Sequence, residues 1–357
     1  MSQKSIFLET HNLQNRATGL GTFNYELIKG LSYLDLKNYE LTLNSSNTEV
    51  LKEEFGSSFK YHKYNSLSRY PIFRIRKKYD LWHSVNQNIK VEPYHCRNYL
   101  LTVHDIHFAD DLSSKSHFKT NELFKEKLKR ATAITYISEF VKKQTNEYFD
   151  IPDVPEYVIH NGNPISTFLD TTTYIPNVPI DKPFFYTIGD FIERKNYESI
   201  INMMKIIKDF NLIISGNNNK NYGESIKKLI VENGLTNRVF LTGKVTDLGK
   251  QFYMKNCTAF LFPSLKEGFG LPPIEAMSFG KPTFLSNKTS LPEIGGDAAN
   301  YWSQFDPEYM KNILFDGLND YENNKSERQA IIKNRASSFD WKLAAAQYLS
   351  VYKEILR

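Results

Sequence analysis

The chain alternates short apolar runs with longer stretches in which apolar residues recur at helical spacing. Many of the short runs are apolar throughout and do not alternate, which is typical of parallel strands covered on both faces. In the first half the predicted strands are Ser5–Glu9, Tyr39–Asn44, Tyr79–Val85, Tyr99–His104, Ala133–Ile137 and Tyr157–His160. In the second half they are Phe184–Ile188, Asn211–Ile214, Val239–Leu241, Ala259–Phe262 and Thr283–Leu285. The pattern therefore predicts an α/β protein with two parallel sheets.

Amphipathic stretches between these runs predict the helices. They are Phe23–Leu34, Asn121–Arg130, Tyr197–Lys208, Tyr222–Asn233, Leu248–Asn256, Pro272–Phe279 and, last, Trp341–Leu356. Strands that alternate with helices in this way build Rossmann-like domains, in which each strand is followed by a crossover helix.

Linkers between domains are rich in turn-forming residues, and the segment Leu169–Pro183 holds three prolines and a threonine run. We predict a first Rossmann-like domain over residues 1–170, a linker over 171–183 and a second Rossmann-like domain over 184–340. The terminal helix, residues 341–357, is expected to pack back on the first domain. The two domains would face each other across a cleft at the carboxyl ends of their sheets, where ligands usually bind.

Composition excludes several classes of protein. The 45 Lys and Arg against 40 Asp and Glu leave a net charge of +5, spread over both halves, so neither half is a nucleic-acid-binding tail. The two cysteines, Cys96 and Cys257, lie far apart, which excludes a disulfide scaffold and a zinc ribbon and favours a reducing compartment. No apolar run suits a signal peptide or a membrane span, so we expect a cytoplasmic protein, with any membrane contact made from the inner face of the plasma membrane.

The segment Ser264–Gly280, SLKEGFGLPPIEAMSFG, carries the strongest chemical signal. It follows an apolar strand, Gly268 and Gly270 allow a tight loop, and the two prolines after them suit the first turn of a helix. The amides of such a helix start can bind an anion, and the carboxylates of Glu267 and Glu275 can accept hydrogen bonds from sugar hydroxyls. The plainer alternative is a helix start at which a glutamate favours the helix dipole.

Two glutamates that flank G-F-G-L-P-P-I resemble the paired-glutamate signature of the retaining, two-Rossmann-domain glycosyltransferases of family 4. The S-x-G-K-P-T that follows and the segment Ser290–Ala299, SLPEIGGDAA, are similar to the C-terminal domain of the same family. The resemblance covers essentially the whole chain and is nearest to the bacterial mannosyltransferase-like subgroup of cell-surface polysaccharide synthesis. It implies the GT-B fold, in which an acceptor-binding first domain and a nucleotide-sugar-binding second domain, both Rossmann-like, face each other across a cleft.

The resemblance also implies a set of site residues. The donor-binding residues would be Gly19, Gly21, Gly189, Arg194, Lys195, Lys244, Val245, Glu267, Gly268, Phe269, Gly270, Leu271 and Glu275. The catalytic residues would be Glu267, His104, Arg194 and Lys195. No metal ligand and no cofactor is expected, because the sequence has no D-x-D triplet of the kind that holds a divalent metal in the other main glycosyltransferase fold.

The implied roles suit the chemistry of the side chains. Arg194 and Lys195 would grip the donor diphosphate, since a guanidinium can fork onto phosphate oxygens and an ammonium adds a point charge. Glu275 would hold the ribose hydroxyls and Glu267 the hydroxyls of the donor sugar. His104, at the end of a strand in the other domain, would contact the same sugar.

The remaining roles concern main-chain groups. The G-x-G at Gly19 and Gly21 would form a glycine loop over the diphosphate, and Lys244 and Val245 would bracket the base with backbone atoms. By themselves, a G-x-G is more often a turn, a lone histidine is often a satisfied buried polar residue, and a basic pair before a helix is often solvated. Asp190 stands where the family usually has a small or polar residue, and a carboxylate pointing inward there would weaken diphosphate binding.

The implied reaction moves a hexose from a nucleotide diphosphate sugar to a glycan or a polyprenyl-diphosphate-linked acceptor, with retention and without metal. GDP-mannose is the favoured donor, and a UDP-sugar (glucose, galactose or N-acetylglucosamine) is the alternative. A non-catalytic nucleotide-sugar-binding partner subunit and another two-Rossmann enzyme, such as an epimerase or a phosphorylase, are further alternatives. No nucleic-acid partner is expected.

The stretch Arg69–Lys78, RYPIFRIRKK, mixes five basic residues with aromatic and aliphatic ones. Such a stretch can bind anionic lipid or a lipid diphosphate acceptor. A solvated helix ahead of the next strand is an equally open alternative.

Overall fold

The computed structural model describes residues 3–14, 18–110, 113–219 and 221–357. The chain divides into two compact units, Met1–Pro164 with Asp340–Arg357, and Ile165–Phe339. Each unit is built on a parallel sheet whose strands are connected by helices. This is the Rossmann-like α/β architecture that the sequence predicts.

The first unit contains, within the described residues, a seven-stranded sheet with the order β3-β2-β1-β4-β5-β6-β7. Its strands are β1 (Lys4–Leu8), β2 (Tyr39–Ser45), β3 (Lys60–Lys63), β4 (Leu81–Ser84), β5 (Tyr99–Val103), β6 (Ala133–Tyr136) and β7 (Glu156–Val158). The helices that connect these strands are α1 (Gly19–Ser32), α2 (Thr48–Phe55), α3 (Lys115–Arg130) and α4 (Glu139–Tyr148). Every residue of β4, β5 and β6 is buried, as expected for central parallel strands that are covered on both faces.

The second unit contains, again within the described residues, a six-stranded sheet with the order β10-β9-β8-β11-β12-β13. Its strands are β8 (Phe184–Ile188), β9 (Asn211–Ser215), β10 (Val239–Gly243), β11 (Ala259–Phe262), β12 (Thr283–Ser286) and β13 (Asn300–Trp302). Its helices are α5 (Tyr197–Met204), α6 (Asn221–Glu232), α7 (Asp247–Asn256), α8 (Leu271–Ser278), α9 (Leu291–Gly295), α10 (Pro307–Asn323) and α11 (Lys325–Ser337). Apolar side chains of the central strands and of α5, α6 and α10 form its core.

The last helix, α12 (Trp341–Ile355), belongs to the first unit and packs along α1. The two helices approach closely at Gly30, where a Cβ atom would lie 2.7 Å from the Cβ of Ala345 and 2.8 Å from the carbonyl oxygen of Trp341. Farther along α12, the hydroxyl of Tyr352 bonds to Nδ1 of His83 at 2.8 Å. Glycine in the last turn of α1 therefore permits the contact that ties α12 to the first unit.

The structure corrects the predicted linker. Residues 171–183 belong to the second unit and pack on it. The division of the chain falls at Pro164, ahead of the predicted boundary at residue 170. The ring of Tyr174 packs on that of Phe252, with centroids 5.0 Å apart, and Asn177 donates to a main-chain carbonyl of the second unit at 3.0 Å. Proline and threonine content alone does not reveal such side-chain partners.

Several short or half-exposed elements were not predicted, namely β3, β13, α2, α4, α9, α10 and α11. The strands β3 and β13 lie at sheet edges and are only partly buried, so they lack the continuous apolar run that marks the central strands. The predicted strands in the centre of both sheets are found where the apolar runs place them.

The basic stretch does not form the solvated helix that was one of its two interpretations. It contains the end of a 3₁₀ turn, Ser66–Arg69, a second 3₁₀ turn, Pro71–Phe73, and irregular chain beyond it. Pro71 favours this outcome, because it lacks an amide hydrogen and restricts the residue before it. Within the described ranges of the chain, no helix has the length and apolar character needed to cross a membrane.

Candidate functional site

The strand order of the second sheet reverses between β8 and β11. In open α/β sheets, ligands bind outside the carboxyl ends of the strands at such a switch point. The chain after β8 forms the loop 189–196, and the chain after β11 forms the loop 263–270. The two loops touch, because the amide of Leu265 donates to the carbonyl of Arg194 at 2.7 Å. The predicted site segments therefore meet at the switch point.

Glu267 is the centre of an ion-paired group with Arg194, Lys195 and Ser264, called the Glu267 cluster below. The Oε1 atom of Glu267 accepts hydrogen bonds from Lys195 Nζ at 2.5 Å and from Ser264 Oγ at 2.7 Å. The Nη1 atom of Arg194 lies 2.9 Å from the same oxygen and donates to the carbonyl of Lys266 at 2.6 Å. Two cations and one carboxylate leave the cluster with a net positive charge.

Burial and pairing together set the protonation of the cluster. The side chains of Lys195 and Glu267 are only 9% and 11% exposed. Burial raises the pKa of Glu267, but the charges of Lys195 and Arg194 outweigh burial and lower that pKa to about 2. Burial also lowers the pKa of Lys195, and the charge of Glu267 opposes this. Glu267 is therefore ionised at neutral pH.

The Glu267 loop is anchored by the residues that lead into α9. The amide of Glu267 donates to Oγ1 of Thr289 at 3.1 Å, and Ser290 Oγ donates to the carbonyls of Glu267 at 3.0 Å and Phe269 at 2.8 Å. Ser290 begins a segment that the sequence analysis had matched, although no role was predicted for it. Ser264 opens the segment that carries the chemical signal, although no role was predicted for it. Nothing in the sequence pattern marked Thr289, because its partner Glu267 lies 22 positions away in the chain.

Three hydrogen-bonding groups in and beside the cluster have no partner among the described residues. No described residue donates to Oε2 of Glu267, and no described residue accepts from the amides of Gly270 and Leu271. Pro272 and Pro273 follow directly and have no amide hydrogens, so the start of α8 offers fewer donors than an ordinary helix start. The expected row of exposed helix amides is therefore reduced to these two.

Glu275 lies on α8 in a second ion pair, separate from the Glu267 cluster. Its Oε1 atom accepts from Lys250 Nζ at 2.7 Å, and Lys250 also lies 3.4 Å from Asp247. Burial lowers the pKa of Lys250, but the charge of Glu275 outweighs burial and raises it. Lys250 was not predicted as a site residue, because it lies on α7 without a motif around it. In the described part of the chain, no group of three or more His, Cys, Asp or Glu side chains is placed to hold a metal ion.

Gly189, the first residue after β8, makes room for the Lys195 side chain. A Cβ atom at Gly189 would lie 3.2 Å from Cε of Lys195 and 3.0 Å from the hydroxyl of Tyr197. The neighbouring Asp190 is exposed, and no described cation forms an ion pair with it. Burial lowers the pKa of Lys195, and Asp190 is one of the carboxylates that oppose this, so Asp190 lies near the cluster.

For the other predicted donor-site residues of the second unit, the structure gives their burial and packing. Phe269 is 4% exposed and its ring meets that of Phe339 edge-on at 5.6 Å, so only its main chain borders the site. Gly268 lies between the buried Glu267 and Phe269 and is half-buried. Lys244 is exposed and Val245 is half-buried in the loop between β10 and α7.

His104, in the first unit, directly follows β5 and is 6% exposed. Its Nε2 donates to the carbonyl of Val85 at 2.8 Å, and its amide donates to Oε1 of Gln87 at 3.0 Å. Burial lowers the pKa of His104 to about 4. The ring is therefore neutral at pH 7 with its proton on Nε2, and its Nδ1 is a hydrogen-bond acceptor.

Gly19 and Gly21 lie inside the first turn of α1 and not in a loop ahead of it, which corrects their predicted placement. Thr18 is the N-cap, and its Oγ1 accepts from the amide of Gly21 at 3.2 Å. The Gly21 amide was expected to face a diphosphate, and here it satisfies the helix cap instead. Thr18 is a stronger start signal than the glycines are, because a hydroxyl cap fixes where the helix begins.

Comparison with known proteins finds a family match over the second unit. Residues 171–337 match the family described as "Glycosyl transferases group 1". The matched range contains both loops of the Glu267 cluster and the Glu275–Lys250 pair.

Curated relatives lie at low sequence identity. The O-antigen chain mannosyltransferase RfbU of Salmonella typhimurium is 27% identical over 222 residues, which is 61% of this chain and 60% of that protein. The serotype-specific mannosyltransferase WbdA of Escherichia coli is 28% identical over 64% of this chain, and the match spans only 29% of WbdA. The O-antigen chain mannosyltransferase B of Escherichia coli is 25% identical over 98% of this chain and 99% of its own length.

Solved structures share the fold at lower identity. A glycosyltransferase from Rickettsia africae has a TM-score of 0.76 at 17% identity, and the match covers 100% of both chains. The Anabaena protein HepE in complex with UDP and glucose has a TM-score of 0.69 at 15% identity and matches 99% of this chain and 100% of its own. These likenesses concern the fold.

Proposed function

This chain carries a group 1 glycosyl transferase domain in a GT-B fold, and we propose that it is a retaining glycosyltransferase. It moves a hexose, mannose favoured, from a nucleotide diphosphate sugar to a glycan or lipid-linked acceptor. The process it serves is the synthesis of a cell-surface polysaccharide of the O-antigen or capsule type. GDP-mannose is the favoured donor, and UDP-sugars are the alternative.

The Glu267 cluster at the switch point of the second sheet is the observation that carries this proposal. Transfer leaves two negative phosphates behind, and fixed positive groups lower the barrier because they need not reorganise as the charge develops. Arg194 and Lys195 supply such charges, and their bonds to Glu267 hold them in place before a donor arrives. The amides of Gly270 and Leu271 add two neutral donors beside them.

Both glutamates keep an oxygen for hydroxyl groups of the donor. In each, the contacts with described residues are made by Oε1, which leaves Oε2 to accept from a ligand. We assign Oε2 of Glu267 to the donor sugar and Oε2 of Glu275 to the ribose. A carboxylate that faced the phosphates instead would repel them, so Oε2 of Glu267 must point at the sugar.

The chemical step breaks the bond between the anomeric carbon and the diphosphate oxygen. The acceptor oxygen bonds to the same carbon on the same face, and its proton passes to a leaving phosphate oxygen. The proposal needs no metal ion, because Arg194, Lys195 and the two amides neutralise the leaving group. His104 is assigned to the donor sugar through its Nδ1 acceptor.

The named relatives support mannose and a surface polysaccharide. Two are described as O-antigen chain mannosyltransferases and one as a serotype-specific mannosyltransferase. The relative matched along its whole length gives this support the broadest basis. The nucleotide of the donor and the retention of configuration rest on the family resemblance.

A thermal-shift panel tests the donor assignment. GDP-mannose, GDP-fucose and UDP-sugars are added singly, and a donor present at 100 times its Kd stabilises the folded protein by about 2.7 kcal/mol. We expect GDP-mannose to give the largest shift and Arg194→Ala to reduce it. Equal shifts for all nucleotides, or none, would count against the donor site.

Product analysis tests the reaction itself. Hydrolysis of the donor without acceptor would separate an enzyme from a non-catalytic binding subunit. NMR of the first-formed product gives the configuration at the transferred anomeric carbon, and inversion relative to the donor would contradict retention.

We also propose that the first unit touches an anionic membrane through a patch around residues 66–73. Two 3₁₀ turns there expose Leu67, Tyr70, Ile72 and Phe73 to 48%, 61%, 71% and 53%. Exposed apolar side chains flanked by Lys and Arg favour the boundary between lipid headgroups and acyl chains. The basic flank is formed by Arg69, Arg74, Arg76, Lys77 and Lys78.

Liposome flotation tests this contact. The protein should float with vesicles that contain anionic lipid and should do so less at high salt, because salt screens the attraction. Charge reversal at Arg74, Arg76 and Lys77 should reduce flotation while donor-induced thermal shifts persist. Unchanged flotation of the reversed variant would remove this part of the proposal.

A further inference from the structure

Two residues beside the Glu267 cluster have an unusual backbone conformation. Among the described residues other than glycine, Asn196 and Thr289 alone have a positive φ, and the value is 53° for both. Asn196 directly follows Lys195, and Thr289 contacts Glu267 from the segment after β12. Residues in sparsely populated backbone regions are concentrated at functional sites, because they persist only where their surroundings hold them. Both residues lie where the two loops of the candidate site are held together.

Thr289 is the more strained of the two. Asparagine tolerates the left-handed region, whereas a β-branched side chain crowds its own backbone there. Glycine adopts the same conformation without this crowding. A threonine at this position is therefore explained by an interaction of its side chain that a glycine would lack.

That interaction is the hydrogen bond that the Glu267 amide donates to Oγ1 of Thr289 at 3.1 Å. The next residue, Ser290, donates from Oγ to the Glu267 carbonyl at 3.0 Å. Residues 289 and 290 thus hold both main-chain polar groups of Glu267. Lys195 and Ser264 hold Oε1 of its carboxylate. With the main chain and Oε1 both held, the direction of Oε2 is fixed as well.

Asn196 ties the same loop to its neighbour. Its Nδ2 donates to the carbonyl of Pro263 at 3.3 Å, which joins the loop 189–196 to the start of the loop 263–270. Glu267 therefore lies in a loop that is held at its start by Asn196 and in its middle by Thr289. A carboxylate that binds a reacting sugar needs such support, because a displacement of about 1 Å can lower a rate about 100-fold.

We propose that Thr289 is a positioning residue that directs Oε2 of Glu267 toward the donor sugar. Its hydroxyl acts through the Glu267 amide, so its effect concerns the sugar and not the nucleotide, whose phosphates meet Arg194 and Lys195. The left-handed backbone at Thr289 brings the hydroxyl to this amide. The assignment rests on the proposed transferase function and adds to it the residue that links the main chain of Glu267 to sugar recognition.

Isothermal titration calorimetry with GDP-mannose and with GDP tests this role, because the first ligand adds the mannosyl group to the second. Thr289→Val keeps the branched shape and removes the hydroxyl, Thr289→Ser keeps the hydroxyl, and Thr289→Gly removes the whole side chain. The matched control is Thr283→Val, the same change at the start of β12, where the Thr283 hydroxyl donates to the carbonyl of Lys281 at 3.0 Å. If the thermal-shift panel favours a UDP-sugar, that sugar and UDP replace the first pair of ligands.

We expect Thr289→Val to weaken the binding of GDP-mannose roughly three- to tenfold, as the loss of about one hydrogen bond requires, and to leave the binding of GDP unchanged. Thr289→Ser and the control should bind both ligands as the wild type does. Thr289→Gly should bind GDP-mannose as weakly as Thr289→Val and have the higher Tm of the two. Both lack the hydroxyl, and only valine retains a β-branched side chain on the left-handed backbone.

Several results would overturn the proposal. Unchanged binding of GDP-mannose by Thr289→Val removes the role, and equal weakening of GDP and GDP-mannose shows general damage to the loop. Weak binding by Thr289→Ser would show that the hydroxyl is not the group that acts, and a Tm of Thr289→Gly below that of Thr289→Val would reject the strain. A wild type that binds no nucleotide sugar of the panel would instead show that the transferase function is wrong, and the positioning role would fall with it.

Discussion

Replacement of Glu267 by glutamine keeps the size of the side chain and removes the charge that holds Arg194 and Lys195. Burial raises the pKa of Glu267, yet the two cations bring it from the usual 4.5 to about 2. At about 1.4 kcal/mol per pH unit, the ionised carboxylate stabilises the fold by on the order of 3 kcal/mol at pH 7. We expect Glu267→Gln to lose stability of this size, since Lys195 stays buried without a counter-charge.

The same pKa difference predicts how the loss depends on pH. A carboxyl whose pKa is lower in the folded state stabilises the fold above its unfolded pKa of about 4.5 and loses this effect as the pH falls toward about 2. The wild type and Glu267→Gln should therefore differ most near neutral pH and converge below about pH 4.5. This convergence distinguishes loss of the charge from a packing defect, which would persist at every pH.

Urea denaturation followed by circular dichroism, repeated from neutral to acidic pH, measures both effects. The matched control is Glu224→Gln, because Glu224 pairs with Lys227 at 2.7 Å on an exposed helix surface. Exposed pairs contribute little, so this variant should match the wild type. Equal stability of Glu267→Gln and wild type at pH 7, or a difference that does not narrow in acid, would refute the reasoning.

Three further outcomes are expected. Arg194→Ala and Glu267→Ala should each remain folded and lower the turnover of transfer by roughly 100- to 1,000-fold or more. Near-normal turnover in either purified variant would contradict the assignment. Transfer should continue in excess chelator, and a strict requirement for added manganese would argue against neutralisation by protein groups alone. Gly270→Ala should destabilise the protein by about 1–3 kcal/mol, since φ is +120° and a Cβ would lie 2.9 Å from Leu291, and an unchanged Tm would show that the loop relaxes freely.

The sequence predicted the sheets well because strand signals are local. Phe184–Ile188 and Ala259–Phe262 have the predicted bounds, and both are continuous apolar runs that end at the loops of the Glu267 cluster. The glycine loop and the prolines of α8 are likewise local features, since each restricts its own backbone. The sequence therefore located the segments of the candidate site, and the family match over residues 171–337 agrees with its resemblance.

Local signals were weaker at edges and caps. Residues 171–183 have the proline- and threonine-rich composition of a linker, but Tyr174 and Asn177 contact residues of the second unit. Gly21 lies in a glycine pair that suggested a loop, but the hydroxyl of Thr18 caps a helix that already includes it. In both cases the deciding contacts are made by individual side chains, and composition does not register such contacts.

What the sequence determined by itself is the order of strands and helices, and the loops in which Glu267, Arg194 and Lys195 stand. Only the tertiary structure decided that these three form one ion-paired cluster, for Lys195 and Glu267 are 72 positions apart. Glu9 and Asn44, 35 positions apart, are joined in the same way at the carboxyl ends of β1 and β2 in the first unit. The physical reason is that polar residues after a strand have no periodicity, so their partners are fixed by which strands lie side by side.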